Sequence, residues 1–292
     1  MSLSLKVKVL SFLLQRTPRW VRGRWRLARL LMGSALDGAG GTLKTRDRHL
    51  IQVPCLREPV AFSILVDGSY EEETWHVIKA HLPNNGVFVD IGANVGLFTL
   101  KAAKYLGDSG KVISIEASPK IFPYLQRNIK FSGYQNISCL AIASTDRDDV
   151  EIPFYDAPDD HFGMGSLAPQ FNMPPKFVVG ATLDTVLKDL GISHIDVVKV
   201  DVEGFEAAVF RGAAQTFTSR NKPIIVFEFL DWAEERAGYT VGAAQSLLLE
   251  YGYSLKEIGK AGTLGKALAE PIKVGGTMLV AIPVGITHGH AG

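Results

Sequence analysis

A doubly wound α/β fold, with a mostly parallel sheet between two layers of helices, is predicted by three features of the sequence. Between residues 87 and 258, short β-branched apolar runs alternate with segments of helical period. The first run enters a glycine-rich turn, "VDIGANVG" (89 to 96), and the second ends in a carboxylate, Glu116. Strands alternating with helices are the pattern of a parallel sheet covered on both faces.

The 292 residues, 47% hydrophobic and 21% charged, suffice for one large domain with an appendage. Three parts are expected: a basic segment at 1–36, strands and a helix at 37–84 leading into the core, and the core domain at 85–292. "GSALDGAGG" (33 to 41) reads as a linker, "HLIQVPCL" and "VAFSILVD" as preliminary strands, and "EEETWHVIKAHL" (71 to 82) as a helix. Strand 87–90 then leads to helix 95–106, strand 111–116 to helix 119–132, and strand 137–143 follows. Helix 182–190 precedes strand 195–200, helix 205–214 precedes strand 222–229, and helix 241–251 precedes "YSLKEIG". The piece at 156–175, "DAPDDHFGMGSLAPQFNMPP", is rich in Pro and Gly, and a loop of that length in a compact domain usually serves function.

Charge is unevenly spread. The first 36 residues hold Lys6, Lys8, Arg16, Arg19, Arg22, Arg24, Arg26 and Arg29 and no acid, so the remaining 23 basic and 30 acidic residues give the body of the chain a net charge of −7. An acidic body with no basic run speaks against a nucleic-acid partner. "VLSFLL" (9 to 14) is too short for a membrane span and lacks a secretory cleavage pattern. Trp20, Trp25, Leu27, Leu30 and Leu31 among the arginines suit a peripheral contact of residues 1–33 with an anionic membrane, or a basic helix packed on its own domain. Two cysteines, Cys55 and Cys139, make no disulfide framework and fit a reduced cytoplasmic setting. Neither they nor the seven histidines show zinc spacing, and no metal is expected.

In a doubly wound sheet, ligands bind beyond the carboxyl ends of the strands, where the first glycine turn lies. Gly92 and Gly96 allow close backbone approach, while Asn94 stands where a dinucleotide fingerprint has its second glycine and would crowd a pyrophosphate. Asp90 at the strand end can accept from an ammonium or a bridging water. Glu116, twenty residues beyond Gly96, is placed to accept from both ribose hydroxyls. A nucleoside joined to an amino-acid group describes S-adenosylmethionine. Asp90, Gly92, Ala93, Asn94, Gly96 and Glu116 are its expected contacts, with Ala143 and Ser144 at the end of the third strand beside the base.

The blocks "VDIGANVGLFTL", "ISIEASP", "ATLDTVL", "VVKVDVEGFEAAVFRGA" and "IIVFEF" resemble the successive signatures of FkbM-type S-adenosylmethionine-dependent methyltransferases, over about residues 85 to 255. The resemblance implies a Rossmann-like, seven-stranded methyltransferase sheet. It also implies methyl transfer to a hydroxyl of a small-molecule, sugar or lipid-linked acceptor. Glu116-Ala117 departs from the family's usual Glu-Pro, and nothing in the family accounts for the basic N-terminal segment.

An alcohol acceptor must lose its proton as the new bond forms, and a carboxylate within reach can take it. Asp201, at the end of a core strand, is the first candidate, followed by Glu203 in the next turn and Glu228 in "IIVFEF". Glu206 reads as a helix-start acid, and His161 in the long loop as a further base candidate. Close acids would also suit Mg²⁺ or Ca²⁺, a weaker reading. The alternatives are an NAD-linked oxidoreductase, opposed by Asn94 and the Asp-x-Glu-Gly block, and a membrane-surface adaptor, opposed by the presence of both Asp90 and Glu116.

Overall fold

The structure is a computed structural model that describes residues 3–18, 21–38 and 40–285. Helices α1 (Leu5–Arg16) and α2 (Arg24–Met32) and a 3-10 turn at Gly33–Leu36 lead to an antiparallel hairpin of β1 (Gly41–Lys44) and β2 (Leu50–Val53). Helices α3 (Pro59–Asp67) and α4 (Glu72–His81) follow. The core then runs through β3 (Val87–Ile91), α5 (Leu97–Leu106), β4 (Lys111–Ile115), α6 (Phe122–Ser132) and β5 (Ile137–Leu140). A side sheet of β6 (Ala143–Ser144), β7 (Val150–Phe154) and β8 (Lys176–Ala181) interrupts it. The chain returns through α7 (Leu183–Asp189), β9 (Val197–Val200), α8 (Glu206–Arg211), α9 (Ala214–Thr218) and β10 (Ile224–Leu230). It closes with α10 (Asp231–Arg236), α11 (Ala243–Glu250), β11 (Tyr253–Ile258), β12 (Leu264–Ala267) and β13 (Gly276–Pro283).

The main sheet has the order β12-β11-β13-β10-β9-β3-β4-β5. Strands β10, β9, β3, β4 and β5 are parallel, and β13 lies antiparallel between β10 and β11. The predicted doubly wound, mostly parallel sheet is therefore present, with β12 added at one edge. Strands β3, β4 and β9 are buried almost throughout, as strands covered on both faces must be. Val89, Val198 and Phe227 pack against Phe210, Phe217 and Leu248 on one face. Phe88, Val197 and Val226 meet Trp75, Ile78 and Phe98 on the other.

Three expectations change. "VAFSILVD" is helix α3, not a strand: Pro59 starts it, the Glu58 carboxylate accepts from Ala61 N–H at 3.1 Å, and Gly68 closes it at φ +72°. Seven of its residues are buried, so no polar face marks the helical period, and a short apolar run does not distinguish helix from strand. The strand expected at 137–143 divides, because Ala143 and Ser144 leave the main sheet to pair with β8. Strand β13 had no counterpart in the sequence reading; its place between two earlier strands is set by pairing over long range, with Leu279 opposite Phe227.

The N-terminal helices pack on the rest of the chain. Val7, Leu14, Ala28 and Met32 share a core with Phe62 and Leu65 of α3 and with Leu100 of α5. The buried Arg24 guanidinium pairs with Asp67 at 2.5 Å and donates to the carbonyls of Leu14 and Val66 at 2.7 and 2.8 Å. Arg19 and Trp20 lie outside the described residues.

Candidate active site

In chain order the sheet runs outward from β3 to β4 and β5, then resumes on the other side of β3 with β9. A crevice opens at such a switch point, beyond the strands' carboxyl ends. A cavity is found there, walled by the turns after β3, β4 and β9, by Glu228 of β10 and by the loop around Phe162.

The turn after β3 depends on its glycines. Gly92 has φ +77°, and a Cβ there would stand 1.8 Å from the carbonyl oxygen of Asp201. The N–H groups of Gly92 and Ala93 both donate to Ile115 O at 3.0 Å, which fastens the turn to β4. Asn94 takes φ +52°, a left-handed conformation that Asn tolerates better than most residues. Gly96, at φ +91°, starts α5, and a Cβ there would lie 2.7 Å from the Leu125 side chain.

Glu116 joins two turns. Its carboxylate accepts from Asn94 N–H at 2.8 Å and from Ser118 N–H at 2.7 Å. Burial pushes its pKa up to about 7, against the lowering effect of those two donors. Ala143 and Ser144 also line the cavity, and the buried Ser144 hydroxyl has no hydrogen-bond partner among the described residues. Asp90 is placed differently. It is 1% exposed, accepts from the Thr99 hydroxyl at 2.6 Å and is not among the cavity-lining residues. Its other oxygen has no hydrogen-bond partner among the described residues, and its charge is sensed by Lys199.

Asp201, Glu203 and Glu228 converge, with one carboxylate oxygen from each lying within 4.8 Å of the others. Lys199 Nζ sits 2.8 Å from Asp201 Oδ2. Burial disfavours the lysine's charge, but Asp201, Asp90 and Glu71 outweigh this and hold its pKa above the usual value. Glu203 takes φ +55°, and burial followed by the Asp201 charge pushes its carboxyl up to about 8. Glu228 is raised by burial and by the Asp201 and Glu203 charges. Glu206 is a brace, its carboxylate accepting from Val202 and Gly204 N–H at 3.1 and 3.4 Å.

The long loop covers this region. Phe162 is buried, Met164 lines the cavity, and the Ser166 hydroxyl donates to Glu203 O at 3.1 Å. His161 and Phe171 are not cavity residues; their rings meet at a 46° tilt with centroids 5.7 Å apart, and His161 pairs with Asp160. Sequence reasoning missed Tyr70 and Glu71. Tyr70 lines the cavity, and Glu71, at φ +44°, has a buried carboxylate oxygen without a hydrogen-bond partner among the described residues. "EEE" before a helix signals only dipole stabilisation, so no local pattern marks them. Lys199 opens the Lys-x-Asp-x-Glu-Gly segment, and its role emerges only from its bond to Asp201.

Residues 90–255 match the methyltransferase FkbM domain, more than half of the chain. The chain belongs to the FkbM methyltransferase family. Its cofactor is S-adenosylmethionine, as in the rest of that family. A relative, methyltransferase sdnD of Sordaria araneosa, is 28% identical over 177 residues, covering 50% of this chain and 68% of that protein. Among solved structures, precorrin-6y C5,15-methyltransferase of Geobacter metallireducens is similar at 15% identity and a TM-score of 0.43, over 74% of this chain and 88% of the other. Fibrillarin of Aeropyrum pernix, with S-adenosyl-L-methionine bound, is similar at 12% identity and a TM-score of 0.42, over 72% and 73%.

The cavity of this FkbM methyltransferase suits its cofactor chemically. Carboxylates stand ready for a cationic ligand, and the buried Ser144 hydroxyl and Asn94 carbonyl oxygen lack partners among the described residues, which a nucleoside could supply. If Glu116 holds the ribose, Glu116→Ala should weaken S-adenosylmethionine binding by roughly 1.5–3 kcal/mol, the usual cost of losing a charged hydrogen-bond partner. Calorimetry with equal affinity in the variant would remove that role.

Proposed function

We propose that this FkbM methyltransferase methylates a hydroxyl oxygen of a small-molecule, sugar or lipid-linked acceptor. The observation that carries the reading is the convergence of Asp201, Glu203 and Glu228 at the cavity, since an alcohol needs a proton acceptor beside the reacting oxygen. Bound S-adenosylmethionine supplies an electrophilic methyl carbon on a sulfonium sulfur. The chain's own part is to hold the turn at Gly92 to Gly96 and Glu116 for the cofactor, to shield the cavity with the Phe162 loop, and to orient and deprotonate the acceptor through Asp201. With its oxygen bonded to Lys199, Asp201 keeps a fixed direction, and the chain itself provides a cation among the acids. That favours proton handling over metal ligation by the trio.

Incubation with isotope-labelled S-adenosylmethionine and cell extract tests the reading. The expected product carries one added methyl group with the carbon resonance of a methoxy group. Methyl transfer to nitrogen or carbon alone would overturn the oxygen assignment and leave methyltransferase activity in place.

A further inference from the structure

The two N-terminal helices carry apolar residues on their outer as well as their inner faces. In α1, Val7 and Leu14 are buried, whereas Leu5, Val9, Phe12 and Leu13 are 78%, 49%, 54% and 55% exposed. Leu5, Val9, Phe12 and Arg16 recur at helical spacing and form one stripe opposite the buried face. In α2, Ala28 and Met32 face inward while Leu27, Leu30 and Leu31 face outward. Single exposed leucines need no explanation, but a patch spread over two contacting helices does.

Charge indicates what covers the patch. Lys6, Lys8, Arg16, Arg22, Arg26 and Arg29 are exposed, and none pairs with an acid among the described residues. Among the described bases of the segment, only Arg24 is turned inward, onto Asp67. A second copy docked through the same patch would set like charges against each other. No helix among the described residues is long and apolar enough to cross a membrane. An outward apolar stripe flanked by bases suits a helix lying in the plane of an anionic interface.

We propose that α1 and α2 dock the protein on an anionic phospholipid surface, with Phe12 and the outer leucines entering the acyl boundary and the six bases meeting headgroups. Both helices pack on α3, whose first residues, Pro59 and Val60, and capping Glu58 line the active-site cavity. The inference does not depend on which acceptor is methylated.

The test is sedimentation of the full-length protein with phosphatidylcholine vesicles, with and without phosphatidylglycerol, at about 50 mM and about 500 mM salt. Binding is expected only to the anionic vesicles, and weaker at high salt. Each base near such a surface strengthens binding roughly fivefold, so Lys8→Glu with Arg26→Glu should bind at least about tenfold more weakly. Leu27→Ser with Leu30→Ser should also bind at least about tenfold more weakly. Neither pair should change the melting temperature, since these side chains are exposed. Absence of vesicle binding, equal binding to both vesicle types, or variants that bind like wild type would overturn the proposal. So would a dimer, seen by sedimentation velocity, that the leucine pair abolishes.

Discussion

Asp201→Asn should lower kcat by about 10²–10⁴ while S-adenosylmethionine affinity changes little, the usual loss when a general base is removed. The residue directly follows β9 at the switch point, where its backbone N–H donates to Ile91 O at 3.1 Å and ties it to β3. Its side chain is 26% exposed at the cavity, whereas Glu116 is buried, and Lys199 holds one oxygen. Asparagine keeps the shape and the contact to Lys199 through its carbonyl, yet cannot take a proton. Because the interaction with the acceptor grows as the hydroxyl loses its proton, kcat should carry the loss. A large fall in cofactor affinity with kcat preserved would reassign Asp201 to the cofactor's ammonium and move the base to Glu203 or Glu228, His161 lying outside the cavity. The pH profile separates the first of these. Glu203 is pushed up to about 8, and only its deprotonated form accepts a proton. A Glu203 base would make the rate climb as pH rises through about 8, and Glu203→Gln would abolish that rise.

The second large effect is expected at Gly92. In Gly92→Ala the new methyl group would meet the Asp201 carbonyl oxygen at 1.8 Å, and the φ of +77° is unfavourable for alanine. The neighbour is backbone held to β3 by the bond from Asp201 N–H to Ile91 O, so it cannot swing aside. Strain and overpacking together should cost about 2–5 kcal/mol of stability, seen as a lower midpoint in urea. Cofactor binding should be lost in whatever fraction remains folded, because the turn and Asp201 must separate. Gly133→Ala is the control. Its φ is +74°, but nothing lies within 4 Å of the new methyl, so backbone strain alone should cost about 1–2 kcal/mol. Equal losses at both positions would show that close packing of the turn on β9 is not what Gly92 provides.

The alternating strands and helices from Val87 onward were legible because local signals agree. Buried parallel strands need unbroken β-branched runs, and glycines mark where the backbone must take positive φ. The cofactor turn and the Lys-x-Asp-x-Glu-Gly block are contiguous in the chain, so their spacing could be read directly. Other features depend on residues distant in sequence. The helical state of "VAFSILVD" follows from burial on nearly all sides, which removes the periodicity that would announce it. Strand β13 is placed by pairing with β10 and β11, and Glu71 joins the acids only because the fold brings the start of α4 within the electrostatic reach of Lys199 and Asp201.

Asp90 shows the same limit from the other direction. Its position at the end of β3 could be read from the sequence, whereas its burial beneath the turn, bonded to Thr99, is decided by how α5 packs. The sequence alone therefore determined the fold class, the family and the cofactor turn, since these rest on short-range pattern and backbone conformation. The tertiary structure alone decided which carboxylates face one another, what covers them, and which side of the N-terminal helices is left outward. Those outcomes depend on which long-range contacts bury side chains together.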